Sequence, residues 1–311
     1  MVKKSFHVGD STISIHRRRR LKRWLIALAI VVVAWLGVSW LVAHRLTQRH
    51  RPIFAEPIPA VAWGRFEAHR LQTRDGEALG AWYVPGRGDA PTVLLLHGNG
   101  GSRGNVSSRA EVLASRGCAV LMVSLRAHGD STGDYNDIGY GARHDVVAAV
   151  EWIETHNPGR PIVIHGTSMG AAAATFASRE LGHRVRGYIL ESPYRDLKTA
   201  LWNRIENALP RAIGWVAYRG LLAVSPVVLP HLDMVSPVDA IESVPDDVPV
   251  LILAGGADLM ARPEEATALW RKVRAHGDLH IFKGSDHIRM IETDPARYRS
   301  AVFGLIDAVA R

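Results

Sequence analysis

The stretch PIVIHGTSMGAAAATFASRE, at residues 161–180, decides how this 311-residue chain folds. A short apolar run ends in Gly-Thr-Ser-Met-Gly, and an alanine-rich helical pattern follows at once. A serine at a sharp strand-to-helix turn takes strained backbone angles, and small residues two positions before and after it relieve the crowding. The alternative is a turn serine that only caps the helix. Because the pentapeptide lies between an apolar run and a helix, we interpret Ser168 as a nucleophile presented on such a turn.

Strand-like and helix-like segments alternate around this turn. A hairpin signal, Arg74-Asp75-Gly76, comes first. The apolar runs and helical patterns that follow it lie at 92–97, 104–116, 118–125, 142–156, 185–191, 249–256, 263–275, 278–284 and 295–310. Short apolar runs that alternate with helices predict an α/β fold, in which helices cover both faces of a mostly parallel sheet.

One segment, at residues 195–237, interrupts the alternation. It is helical and apolar, and prolines break it at Pro210, Pro226 and Pro230. We expect a small helical cap over the carboxyl-terminal edge of the sheet, where the pockets of open α/β sheets lie. The alternative is that these helices only complete the outer layer of the sheet.

A nucleophilic serine needs a base, and the base needs an acid that orients it. On a sheet of this kind the acid precedes the histidine along the chain. Asp258 follows the strand at 249–256, and His287 follows the strand at 278–284. We expect both at strand ends close to the serine, although a loop histidine and a helix-capping aspartate are the simpler interpretations. Glu191, at the end of an earlier strand, is the reserve acid.

A glycine-rich segment, HGNGG at residues 97–101, follows the first parallel strand. The backbone N–H groups of Asn99 and Met169 are the expected donors to an oxyanion. The glycine spacing does not match the dinucleotide fingerprint, and the next strand ends without an acid for a ribose. The chain has one cysteine, Cys118, and no His-Glu-x-x-His motif. We therefore expect no cofactor, no metal and no intrachain disulfide.

The N-terminal part combines a basic tail with a long apolar run. Residues 1–51 carry 11 of the 38 Lys and Arg residues and one of the 30 acids, which leaves the remainder nearly neutral. A nucleic-acid-binding body is therefore not indicated. The run from Trp24 to Ala43 has 20 residues without charge, enough to span a hydrocarbon core of about 30 Å as a helix. A cleaved signal peptide is the first alternative, but its apolar region is shorter. A buried core helix is the second, and it is less favoured because this segment is apolar on every face and stands beside a polybasic run.

The sequence thus divides into a basic tail at 1–23, a transmembrane helix at 24–43, a linker at 44–64 and a folded domain at 65–311. Lys3, Lys4 and six further Lys and Arg residues precede the span, and three arginines follow it closely. The positive-inside bias predicts a cytoplasmic N-terminus and a domain on the other side of the membrane. The lipid bilayer is then a partner through residues 24–43, and the oligomeric state stays open.

Taken together, these residues resemble the α/β-hydrolase superfamily of serine hydrolases, over roughly residues 65–310. The resemblance rests on HGNGG, LRAHGDSTG, GTSMG, GADLM and GSDH. Within the superfamily the chain is similar to serine aminopeptidase-like, monoglyceride-lipase-like and membrane-anchored depalmitoylase-like proteins. The resemblance implies a sheet of about eight strands and an acyl-enzyme mechanism that uses Ser168, Asp258 and His287. Ser124 and Ala127 depart from the residues that many relatives have at these two positions.

The sequence therefore predicts a membrane-anchored serine hydrolase that cleaves a small-molecule carboxylic ester. A serine at the elbow, rather than an aspartate, argues against epoxide hydrolase or dehalogenase chemistry. A peptidase or amidase remains an alternative because the same triad serves both reactions. Glu206 and Asp233 are the cap carboxylates that could bind the free N-terminus of a peptide. A non-enzymatic binding protein on the same fold is the third interpretation.

Overall fold

The computed structural model describes the backbone of residues 10–311 and the side chains of residues 17–311. Lys3 and Lys4 of the predicted basic tail lie outside the described residues. The first described element is the long helix α1, Asp10–Leu46. Within residues 10–311, one helix is long and apolar enough to cross a membrane by length and composition.

Eight strands form one sheet, in the order β1-β2-β4-β3-β5-β6-β7-β8. The strands are β1 Glu67–Gln72, β2 Ala78–Val84, β3 Thr92–Leu96, β4 Ala119–Val123, β5 Ile162–Thr167, β6 Gly187–Glu191, β7 Val250–Gly255 and β8 Gly277–Phe282. β2 pairs antiparallel with β1 and with β4, and the other pairs are parallel. This order confirms the predicted mostly parallel sheet.

Helices cover both faces of the sheet. The remaining helices are α2 Ser107–Ser115, α3 Arg143–His156, α4 Met169–Leu181, α5 Leu197–Ala208, α6 Arg211–Val228, α7 Pro237–Ala240, α8 Pro263–Val273, α9 Met290–Thr293 and α10 Pro295–Val309. Leu94 and Leu96 of β3 belong to one buried apolar cluster with residues of α3, α4 and α8, whereas Val93 and Leu95 belong to a second cluster with residues of α2 and α10. Strands buried on both faces explain why the sequence shows continuous apolar runs rather than alternation.

The predicted span at 24–43 lies within α1, which begins earlier in the chain and ends three residues later. The first residues of the predicted linker at 44–64 are therefore helical. The linker is also not a free tether, because Arg49 binds the folded domain. Its guanidinium donates to the carbonyl oxygens of Gly129, Ser131 and Gly133. This difference could not be read from the local sequence, since the acceptors lie some 80 residues further along the chain.

The predicted cap at 195–237 contains α5 and α6. Both helices line the cavity that also contains Ser168. α6 in turn packs beside α1, where Trp35 Nε1 donates to the carbonyl oxygen of Val216 at 3.3 Å. α6 of the predicted cap therefore contacts both the cavity beside Ser168 and the helix α1.

Candidate active site

Ser168 lies at the junction of β5 and α4 in a strained backbone conformation. Its φ is 52° and its ψ is −110°, in a region that costs a non-glycine residue about 1–3 kcal/mol. The flanking glycines make the turn possible. A Cβ on Gly166 would overlap the backbone of Gly170, and a Cβ on Gly170 would lie 2.6 Å from the carbonyl oxygen of Leu96. The spacing of small residues in the sequence thus reflects direct contact between backbones.

The structure brings together the serine, histidine and aspartate that the sequence singles out. His287 Nε2 lies 2.9 Å from Ser168 Oγ, and His287 Nδ1 lies 2.6 Å from Asp258 Oδ2. The three side chains follow the carboxyl ends of β5, β7 and β8, with β6 lying between β5 and β7 in the sheet. The hydroxyl of Ser168 does not cap α4. An imidazole that donates from Nδ1 has Nε2 free to accept the serine proton.

Two backbone N–H groups fix the Asp258 carboxylate. Met260 and Ala261 donate to Oδ1 at 2.7 and 2.9 Å, which leaves Oδ2 to accept from His287. The side chain is fully buried. Asp258 therefore binds the backbone of its own turn through Oδ1 and the histidine through Oδ2. The turn residue and the histidine partner that the sequence offered as alternatives are the same side chain in two simultaneous contacts.

The reserve acid, Glu191, lies away from the histidine ring. Its two oxygens accept from the Arg109 guanidinium, and His165 Nε2 and the Tyr298 hydroxyl lie 3.1 and 3.2 Å from Oε2. Burial alone would raise the pKa of Glu191, but the Arg109 charge and the hydrogen bonds with His165 and Arg109 together outweigh burial, and the pKa falls to about 2. Arg109 also donates to the carbonyl oxygen of Ile288 at 2.7 Å. Glu191 therefore supports, through Arg109, the loop after β8.

The two expected oxyanion donors lie on either side of the serine. Asn99 follows β3, and Met169 is the first residue of α4. A Cβ on Gly98 would lie 3.5 Å from Ser168 Cβ, so this loop passes close to the serine. Within the described residues, the backbone N–H groups of Asn99 and Met169 have no protein acceptor. Both remain free to bind a developing negative charge.

Two buried histidines hold the Asn99 loop. His97 Nε2 accepts from the N–H of Leu125 at 3.0 Å, and His128 Nε2 accepts from the N–H of Gly100 at 3.1 Å. Burial lowers the pKa of His97 to about 3, with repulsion from His128 adding to the shift, and burial likewise lowers the pKa of His128. Both rings are therefore neutral acceptors at pH 7.

Sequence reasoning did not assign a role to His97, Arg109 or Asn136. The amide Nδ2 of Asn136 donates to Asn99 Oδ1 at 2.7 Å and holds that side chain in place. A histidine directly after a buried strand, at the start of a glycine-rich loop, is a usable signal for His97. Arg109 and Asn136 carry no local signal, because their partners are distant in the chain.

A cavity of about 180 Å³ opens beside Ser168 and Asn99. Twelve of its eighteen lining residues are aliphatic or methionine. Among the described residues that line it, Arg204 is the one with a charged side chain. Such a lining suits an apolar substrate group better than a charged one. Among the side chains of residues 17–311, no group of three or more His, Cys, Asp or Glu residues is arranged to hold a metal ion.

Comparisons with known proteins agree with this fold. A family model described as alpha/beta hydrolase fold matches residues 91–221. An uncharacterized protein of Mycobacterium tuberculosis is 30% identical over 242 residues, which cover 75% of this chain and 78% of the relative. Lysophosphatidylserine lipase ABHD12 of Xenopus tropicalis is 32% identical over 147 residues, which cover 45% of this chain and 35% of the relative.

Among solved structures, the Pyrococcus furiosus esterase Pf2001 has a TM-score of 0.67 at 22% identity, over 83% of this chain and 98% of the esterase. Together with the family model and the lipase relatives, this match confirms the fold and the class that the sequence predicts. That class is the esterase- or lipase-like serine hydrolases.

Proposed function

We propose that this chain, which belongs to the α/β-hydrolase fold family, is a membrane-anchored enzyme that cleaves a carboxylic ester through an acyl-enzyme. One observation carries the proposal: Ser168, His287 and Asp258 form a continuous hydrogen-bonded chain beside a mostly apolar cavity. The names of the similar lipase and esterase support an ester rather than another acyl bond.

In the first half of the reaction, Ser168 Oγ attacks the ester carbonyl. His287 Nε2, 2.9 Å away, accepts the serine proton as the C–O bond forms. Asp258 holds the ring in the required tautomer and stabilises the imidazolium. The free N–H groups of Asn99 and Met169 bind the oxyanion of the tetrahedral intermediate. His287 then gives its proton to the leaving alcohol, and the acyl group stays on Ser168.

In the second half, water replaces the alcohol and the roles repeat. His287 accepts a proton from the water, which attacks the acyl carbonyl, and then returns a proton to Ser168 Oγ as the carboxylic acid leaves. The backbone angles at Ser168 present its hydroxyl to His287 before the reaction begins. Strain of this kind is stored in the folded state and is not generated during the reaction.

Peptide hydrolysis is the second candidate, since the triad serves amides as well as esters. An aminopeptidase needs an unpaired carboxylate near the site to bind the substrate's ammonium group. The three cap carboxylates are engaged elsewhere. Glu206 pairs with Arg262 at 2.6 Å, Asp233 pairs with Lys198 at 2.5 Å, and Asp196 accepts from the backbone N–H and the hydroxyl of Thr199. Arg204, the charged residue in the cavity lining, would repel an ammonium group. These contacts favour the ester.

A substrate panel on the full chain separates the two candidates. We expect p-nitrophenyl esters of medium and long acyl chains to be hydrolysed faster than aminoacyl-p-nitroanilides. Faster turnover of the anilides would assign the protein to the peptidases. No turnover of either series, together with no labelling of Ser168 by a fluorophosphonate, would favour a non-enzymatic binding protein.

Anchoring is proposed through α1, whose apolar side chains are exposed along the predicted span. Those more than half exposed include Trp24, Leu28, Ile30, Val31 and Val33. An apolar helix surface of this extent is stable in lipid and not in water. The arginines at 17–20 lie before the span, so the domain is expected on the extracytoplasmic side. A reporter fused after Arg311 should be active only outside the cytoplasm, and a cytoplasmic signal would contradict this orientation.

A further inference from the structure

α1 is in close contact with α6 inside the predicted span. Ser39 is 5% exposed although it lies on a helix whose neighbouring residues are exposed. A Cβ on Gly220 of α6 would overlap Ser39 Oγ and lie 2.9 Å from Trp35 Nε1. Small residues at such a crossing let two helix backbones approach closely, as in helix pairs within membranes. The anchor is thus packed against the cap and not merely joined to the domain in sequence.

The chain directly after α1 fixes this arrangement. The N–H of Arg49 donates to the carbonyl oxygen of Asp134, and the N–H of Asn136 donates to that of Thr47, both at 2.8 Å. Glu56 is 3% exposed and accepts from Ser124 Oγ at 2.6 Å. Because both ends of this short segment are bound to the domain, the end of α1 has a defined position relative to the active site.

That position is the wall of the catalytic cavity. Ala43, Leu46 and Thr47, at the end of α1, line the same cavity as Ser168. From α6, Leu221, Leu222, Ser225 and Val228 complete this side of the lining. The cavity is therefore closed on this side by the membrane helix and by the cap helix that packs on it.

The α1–α6 pair also places the cavity next to the bilayer. Trp35, which contacts Val216, precedes Ala43 by eight residues, or about 12 Å along a helix. The facing part of α6 therefore lies beside the predicted span. α6 has an apolar exposed surface of its own, with Ile213 59%, Trp215 57% and Val227 77% exposed. Because α6 packs against α1, both apolar surfaces lie beside the predicted span, where one leaflet can cover them.

We propose that the end of α1 is part of the substrate site and forms the wall of a channel for a single acyl chain. The substrate is then an amphiphile with one acyl chain that enters from the bilayer. Its chain passes between α1 and α6, and its ester carbonyl reaches Ser168. The proposal rests on the proposed esterase function and adds a role for the span beyond anchoring.

Two matched substitutions in the full chain, in phosphatidylcholine nanodiscs, test this proposal. Ala43→Trp places an indole in the cavity wall, whereas Ala34→Trp places one on the exposed surface of the same helix. We expect Ala43→Trp to lower kcat/KM for p-nitrophenyl dodecanoate relative to p-nitrophenyl butyrate by at least about tenfold. Each methylene excluded from the channel costs roughly a factor of four. Ala34→Trp should keep the wild-type ratio, and an unchanged ratio in Ala43→Trp would overturn the proposal.

A crosslinking probe tests the same point in the wild-type chain, where folding is not in question. The probe is a fluorophosphonate with a dodecyl chain that ends in a diazirine. After it labels Ser168, irradiation should join its far end to peptides that contain Ala43, Leu46 or the facing part of α6. Crosslinks that omit α1 and α6 would contradict the channel. Failure of Ser168 to react at all would instead contradict the proposed function, so the two failures are distinguishable.

Discussion

Replacing Asp258 by asparagine tests whether this carboxylate sets the tautomer of the histidine. The structure fixes how the amide must lie, because Met260 and Ala261 both donate N–H groups to Oδ1. An asparagine that keeps these two bonds turns its NH₂ group toward His287 Nδ1. Two donors then face each other, so the ring must move its proton to Nε2. The ring can no longer accept the proton of Ser168, and we expect kcat to fall about 10⁴-fold.

The assay is hydrolysis of p-nitrophenyl butyrate by the full-length Asp258→Asn variant, with folding checked by circular dichroism. Asp286→Asn is the matched control. Its carboxylate also accepts two backbone N–H groups, from Ile288 and Arg289, and it adjoins His287 in sequence. Because Asp286 does not bind the ring, its replacement should change kcat by less than about threefold, as for most surface substitutions. A kcat in Asp258→Asn within about tenfold of wild type would refute the tautomer argument.

The remaining predictions concern the support around the site. Gly170→Ala should lower the free energy of unfolding by more than about 2 kcal/mol, because backbone oxygens occupy the space that its Cβ would need. Gly304→Ala is the control, because a Cβ there meets open space, and equal denaturation midpoints for the two variants would contradict this prediction. Glu191→Gln should leave Arg109 buried without its counter-charge, which should destabilise the fold by about 3–5 kcal/mol. Denaturant titration measures this loss, and unchanged stability would show that the ion pair is dispensable. Burial lowers the pKa of His97 to about 3, against 6.5 when unfolded, so only the unfolded state binds a proton between these pH values. The fold should therefore lose about 2 kcal/mol of stability from this residue as the pH falls from 7 to 5, and a His97→Asn variant with the same pH dependence would contradict that source.

The residues that the sequence could identify are those whose roles follow from their place at strand ends. The carboxyl ends of neighbouring parallel strands meet at one edge, so Ser168, Asp258 and His287 could be expected together from their order alone. The choice of Asp258 over Glu191 needed the structure, because both acids end or follow strands. It is decided by Arg109, which neutralises Glu191 from a helix 82 residues earlier in the chain.

The position of α1 relative to the folded domain could not be predicted from the sequence. The apolar run at 24–43 indicates a span by its length, but length says nothing about what the helix packs against. The contact between Trp35 and Val216 joins residues 181 positions apart, and the space at Gly220 is visible only once both backbones are in place. The contacts of the linker could not be predicted either, because Arg49 donates to carbonyl oxygens of a loop some 80 residues further along the chain. Local patterns predict helices and strands, whereas long-range packing decides how α1 and the cavity are joined.

Covalent labelling of the full chain by a fluorophosphonate, followed by mass spectrometry of the adduct, tests most directly whether Ser168 is the nucleophile. The hydroxyl of Ser168 lies 2.9 Å from His287 Nε2, so it is the serine that this arrangement activates. We predict one adduct, on the peptide that contains Ser168, and loss of both the adduct and the ester hydrolysis in Ser168→Ala with the fold intact. An adduct on another residue, or equal hydrolysis by the wild type and Ser168→Ala, would contradict the account.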